Sequence, residues 1–147
     1  MKVWAYNDGG RVEAGFKGEA RDCATRAVAI ATGLPYREVY ERLNELAKTD
    51  PYSSKRTGKS DARTGVHRIT LDRLFAEIGW TWVATMRPGS GCKVHLLANE
   101  LPDGNIVARC SRHYVAVIKG IVQDTHDPTR DGTRCVYGYW HKDADNA

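Results

Sequence analysis

Three side chains in this sequence are of the types that nucleophilic acyl transfer needs: the thiol of Cys23, the imidazole of His113 and the carboxylate of Asp124. A thiolate attacks a carbonyl carbon, an imidazole holds and returns the proton, and a carboxylate fixes the imidazole tautomer. Cys23 lies in Gly18-Glu19-Ala20-Arg21-Asp22-Cys23, followed by the alanine-rich run Ala24 to Thr32 and Gly33. This reads as a loop, a sharp helix start and a short apolar helix. Asp22 is predicted as the N-cap, which puts Cys23 at the first helical position, and Gly33 supplies the left-handed stop. Unpaired N–H groups at a helix start favour the thiolate. The motif alone leaves a second reading open, in which Cys23 is a small buried hydrophobe.

The stretch His113 to His126 predicts two strands joined at Lys119-Gly120. With a two-residue loop Ile118 faces Ile121, so Val115 lies opposite Asp124 and His113 opposite His126. Alternation then puts His113, Val115, Asp124 and His126 on one face, with Asp127 on the other if the strand continues. His113 and Asp124 become diagonal neighbours, about 7–8 Å apart at the backbone and closer at the side chains. Nucleophile, base and orienting group follow in the order Cys, His, Asp, the order expected for a thiol hydrolase.

Val3 to Tyr6 reads as a short strand or extended arm closed by the turn Asn7-Asp8-Gly9-Gly10. Pro35 opens a second helix, striped by Tyr36, Val39, Tyr40, Leu43, Leu46 and Ala47 and running to about Lys48. Residues 49–68 are polar, basic and unperiodic, a long loop for which a solvated flap outweighs a nucleic-acid contact. Thr70 is predicted to cap a third helix with the stripe Leu71, Leu74, Phe75 and Ile78, ended by Gly79. Strand pattern follows at Trp80 to Met86, a short helical turn at Leu96 to Leu101, and strands at Asn105–Cys110, His113–Ile118, Ile121–Asp124 and Cys135–His141. Helices first and an antiparallel sheet after predict an α+β fold.

The chain has 147 residues, 41% hydrophobic and 27% charged, enough for one domain with a core spanning residues 1–147. It shows neither a membrane-spanning run nor a signal-peptide pattern, so a cytoplasmic location is expected. A net charge of +4 is too small a bias to argue for nucleic acid as the partner. The four cysteines are scattered, and in a reducing compartment all are expected as free thiols.

Cys23 opening an apolar helix, His113 opening His-Tyr-Val-Ala-Val, and Asp124-Thr125-His126-Asp127-Pro128 closing the hairpin resemble the papain-like cysteine peptidase superfamily. Tyr137-Gly138-Tyr139-Trp140 is similar to the aromatic strand that follows the third catalytic residue there. The stretch Arg21 to Tyr36 is similar to small bacterial and phage proteins of that fold, and the order Cys, His, Asp-Pro to bacteriocin-processing leader peptidases. The resemblance covers Gly18 to Trp140. It implies a papain-like fold, a Cys23–His113–Asp124 triad, a peptide or protein substrate and no cofactor or metal. Many members carry a Gln six residues before the cysteine as an oxyanion donor, and here that position is Lys17. Lys17, Asp22 and His126 are the further candidates for oxyanion or substrate contact.

Other readings stand beside this one. The same residues fit an acyl transferase of transglutaminase type, or a papain-like binding protein without activity. A metal-binding module would use Cys110 and His113, with Cys135 or Cys92 completing a zinc site, but a second close ligand pair is missing. His67, His95 and His141 have no carboxylate at a telling spacing and read as surface or structural. Trp80, Trp82 and Trp140 read as core or cleft wall.

Overall fold

The computed structural model describes residues 3–50 and 58–143. Three helices, α1 (Cys23–Thr32), α2 (Tyr36–Ala47) and α3 (Arg68–Glu77), lie against a sheet of six strands. The strands are β1 (Trp4–Tyr6), β2 (Trp80–Ala84), β3 (Asn105–Cys110), β4 (His113–Ile118), β5 (Ile121–Asp124) and β6 (Gly138–Lys142), in the order β1-β5-β4-β3-β6-β2. The fold is α+β, but the sheet is mixed. β1 adds to its edge parallel to β5, with Tyr6 beside Asp124, where an all-antiparallel sheet was expected. A parallel edge partner leaves no turn signal in the sequence.

The central strands read as near-continuous apolar runs because both sheet faces are covered. On one face Val107, Ala116 and Trp140 meet α1, α2 and α3. On the other Ile106, Ala108, Val115, Val117 and Val122 meet Leu96, Leu101 and Val136. α1 lies along β4, and its alanines allow the close approach. The β4–β5 pairing is the expected one, Ile118 to Ile121 and Ala116 to Gln123. Lys119 and Gly120 take φ of 50° and 82°, the two positive values that a tight right-twisted hairpin turn needs.

Gly138 is fixed by its neighbours. A Cβ there would fall 2.2 Å from the Trp82 ring and 2.8 Å from the Val83 carbonyl. Gly138→Ala is therefore expected to lower stability by about 1–3 kcal/mol through overpacking, read as a fall in the urea midpoint.

Four expectations are corrected. Thr70 does not cap α3: the helix starts at Arg68 after His67, and the Thr70 hydroxyl donates to Asp50 at 2.7 Å and lies 2.8 Å from the Ser60 hydroxyl. The final strand starts at Gly138, since Cys135 instead bridges to His95. Cys92 and Cys135 form a disulfide, so only Cys23 and Cys110 are free thiols. The fourth concerns the 49–68 loop, of which 51–57 lie outside the described residues. Ser60 and Ala62 are buried, and α3 already begins at 68, so the part from 58 onward is docked rather than a solvated flap.

Candidate active site

α1 begins where expected, with Cys23 at its first position, but Asp22 does not cap it. Its carboxylate turns inward instead, is 1% exposed, and pairs with Arg26 one helical turn on. The Tyr36 hydroxyl donates to the other oxygen at 2.5 Å, and Arg11 Nε lies 3.3 Å away. Asp22 thus ties the first turn of α1 to α2 and to the preceding loop. That burial removes it from the candidates for substrate or oxyanion contact. Burial and the hydrogen bond to Asp22 both push the Tyr36 hydroxyl pKa up.

The β4–β5 ladder ends at Ala116 and Gln123, which leaves His113 and Asp124 just beyond it. There they meet: His113 Nε2 lies 2.6 Å from Asp124 Oδ2. Asp124 is 3% exposed. Its other oxygen accepts the Thr125 N–H at 2.7 Å and lies 3.3 Å from Arg26 Nη2. Arg26 therefore bridges Asp22 and Asp124, the acid beside the nucleophile and the acid behind the imidazole. Cys23 and His113 line the same cleft, and each shifts the ionisation of the other through hydrogen bonding and charge. Because Asp124 takes Nε2, Nδ1 is the ring nitrogen left to exchange a proton with the sulfur.

The electrostatics follow from these contacts. Burial pushes the Cys23 thiol up, but the hydrogen bond and charge of His113, with the Tyr114 main chain and Arg26, outweigh it and hold the thiol below its ordinary value. Burial pushes the His113 imidazole down, yet hydrogen bonds to Asp124 and Cys23 and their charges raise it to about 9. Burial also opposes ionisation of Asp124, and His113 more than reverses that. The arrangement favours a thiolate–imidazolium pair. Cys110, on the same cleft, is the contrast: burial pushes its thiol to about 11 despite Arg134 nearby.

Cys23 is partly exposed and opens onto a cleft of about 280 Å³. Arg21, Thr64, Val66, Arg109, Arg112 and Tyr114 line it with the two reactive groups. The wall from Thr64 to Val66 belongs to the segment expected as a flap. Arg63 holds it, donating to the Lys17 and Glu19 carbonyls at 2.7 and 3.1 Å, and the Arg63 carbonyl accepts the Arg21 N–H at 2.8 Å. Thr25, buried in α1, donates to the Ala62 carbonyl at 2.7 Å. Thr25→Val is expected to cost about 1–3 kcal/mol by leaving that carbonyl unpaired, read from urea unfolding.

Lys17 is exposed and not among the cleft-lining residues; the cations that line the cleft at Cys23 are Arg21, Arg109 and Arg112. His126 stands outside the pair, its ring 5.5 Å from that of His113 and its Nδ1 3.9 Å from Asp124 Oδ1, with the side chain 59% exposed. Among the described residues, His113, Asp124 and His126 are the group whose ligand atoms lie close enough to hold a metal ion. An ion there would take the place of the His113–Asp124 hydrogen bond. The expected zinc alternative fails on its thiols, because Cys92 and Cys135 are bonded to each other. His95 does have an acid partner, Glu100 at 3.2 Å from Nδ1, contrary to expectation.

Arg26, Arg11, Tyr36 and Arg63 were not picked out from sequence. The i,i+4 spacing of Asp22 and Arg26 was the one local signal for any of them. Compared with protein-family models, curated proteins and solved structures, the chain finds no match in any of the three.

Proposed function

We propose that the protein is a thiol-dependent hydrolase that cleaves a peptide, amide or isopeptide bond by papain-like chemistry. The observation that carries this is the line of contacts from the Asp124 carboxylate through the His113 ring to a partly exposed Cys23 sulfur at a helix start. The Cys23 thiolate adds to the carbonyl carbon, and the carbonyl π pair moves to oxygen. The Cys23 main-chain N–H, one of the donors that a helix start leaves without an intrahelical acceptor, is the oxyanion donor in this reading, and Arg21 adds positive charge to the cleft. Collapse breaks the C–N bond, and the leaving amine takes the proton from His113. Water then adds to the thioester as His113 accepts its proton, and the thiolate leaves.

Asp124 holds the ring so that Nδ1 gives its proton to the leaving amine in the first half-reaction and takes one from water in the second. The experiment is digestion of a mixed peptide library, with new termini identified by mass spectrometry. Wild-type protein is expected to generate termini that Cys23→Ala does not. Identical termini from both proteins, or none from either, would overturn the assignment.

A further inference from the structure

Resting on that hydrolase reading, we infer that the site takes an acidic polypeptide segment, held in a second groove that shares Arg109 with the Cys23 cleft. This groove, about 400 Å³, is lined by Arg68, Trp82, Met86, Arg87, Arg109 and Tyr137. Arg109 also lines the Cys23 cleft, so the two cavities are neighbours on either side of one side chain. Their volumes are of the order of ligand sites, roughly 300–1,000 Å³.

The lining is one-signed. Arg21, Arg109 and Arg112 surround the reactive thiol, Arg68, Arg87 and Arg109 the groove beyond it, and no Asp or Glu lines either cavity among the described residues. Two of these guanidiniums lie over aromatic rings. Arg68 lies 3.9 Å from the centroid of Trp82, with its Nε turned to Asp72 at 3.3 Å, and Arg109 lies 5.8 Å from that of Tyr137. A guanidinium carries five donors, so one placed this way can still offer donors to the paired oxygens of a carboxylate, at a small ordering cost.

The same stacking argues against single-stranded nucleic acid, which needs open aromatic faces for its bases. Arg68 lies over Trp82, whose ring also packs on Trp140 at 4.6 Å, and Arg109 lies over Tyr137. A polypeptide with Asp or Glu on one side of the scissile bond satisfies the arginines and delivers a carbonyl to Cys23.

The test is protection of Cys23 from iodoacetamide, followed by peptide mapping, in the presence of matched Glu-rich, Lys-rich or neutral peptides or a single-stranded oligonucleotide. The Glu-rich peptide is expected to slow modification of Cys23, and the Lys-rich and neutral ones to leave it unchanged. Arg87→Glu and Arg68→Gln are each expected to weaken that protection about two- to fivefold, the size of a single solvent-accessible ion pair. Lys119→Glu, at the far end of β4 from His113, is the charge control and is expected to weaken none of it.

Equal protection by all peptides, or stronger protection by the oligonucleotide, overturns the acidic-polypeptide assignment. So does Arg87→Glu that folds, as judged by its circular dichroism, and is still fully protected. Failure of the hydrolase reading is separate: it shows in the absence of any peptide, as Cys23 reacting no faster than Cys110.

Discussion

Replacing His113 with alanine is expected to reduce cleavage by about 10⁴-fold and, separately, to slow alkylation of Cys23 at neutral pH by at least about tenfold. The first effect is loss of the group that protonates the leaving amine and deprotonates water. The second isolates the thiol. Burial pushes the Cys23 pKa up in wild type and variant alike, and His113 supplies most of what holds it down. Without the ring, the thiolate population at pH 7 falls by a factor of ten for each unit of pKa regained.

The wild-type pH profiles should separate in a way that identifies the pair. Cleavage is lost on the acid side as Cys23 gains a proton, and on the alkaline side through about pH 9 as His113 loses the one it donates. Alkylation needs only the thiolate, so it has the acid limb and no alkaline fall. The raised imidazole pKa also contributes stability. That contribution is complete below the ordinary value of 6.5 and lost as pH rises through about 9, so His113→Ala should be more destabilising at pH 6 than above pH 9. Equal alkylation rates for wild type and variant at pH 7 would mean that the two side chains are not coupled.

Arg26→Ala is expected to cost about 2–4 kcal/mol in urea unfolding at pH 7, with little change in the denaturant slope. The side chain bridges two carboxylates that are 1% and 3% exposed, Asp22 and Asp124. Taking away one partner of a buried ionic group leaves the other charge with less compensation, and here two acids are affected at once. The loss stays below the upper end of such effects because Asp22 keeps Arg11 and the Tyr36 hydroxyl, while Asp124 keeps His113 and the Thr125 N–H. Cys23 alkylation should slow as well, since Arg26 is one of the charges that hold the thiol down. Arg26→Lys keeps the charge but not the fork that reaches both acids, and is expected to recover only part of the loss. A cost under about 1 kcal/mol for Arg26→Ala would show that the bridge contributes no more than an exposed ion pair.

What could be read from sequence was what local chemistry dictates. β3, β4 and β5 match their expected limits residue for residue, because a two-residue turn at Lys119-Gly120 leaves one register for the strands it joins. That register brings His113 within reach of Asp124. Cys23 heads α1 as its N-terminal loop and Gly33 imply, with Gly33 left-handed at φ 78°. The features that escaped depend on partners distant in the chain. β1 joins β5 across more than a hundred residues, and the Cys92–Cys135 disulfide closes a separation of 43. Asp22 had the right type to cap a helix, but Arg11, Arg26 and Tyr36 converge on it from three directions and draw its carboxylate inward. Lys17 occupied the expected position by count, whereas the cleft is lined by Arg21, and Arg63 holds only the Lys17 carbonyl.

If Cys23 is a polarised nucleophile and Cys110 an inert thiol on the same cleft, their reactivities must diverge with pH. The deciding experiment is the rate of iodoacetamide modification at each cysteine across pH 5 to 10, read by mass spectrometry of the Cys23 and Cys110 peptides. Cys23 is expected to react first, with a midpoint below the ordinary thiol value of 9.0, while Cys110 stays slow until about pH 11. A Cys23 midpoint at or above 9.0, with a rate no greater than that of Cys110, would contradict it.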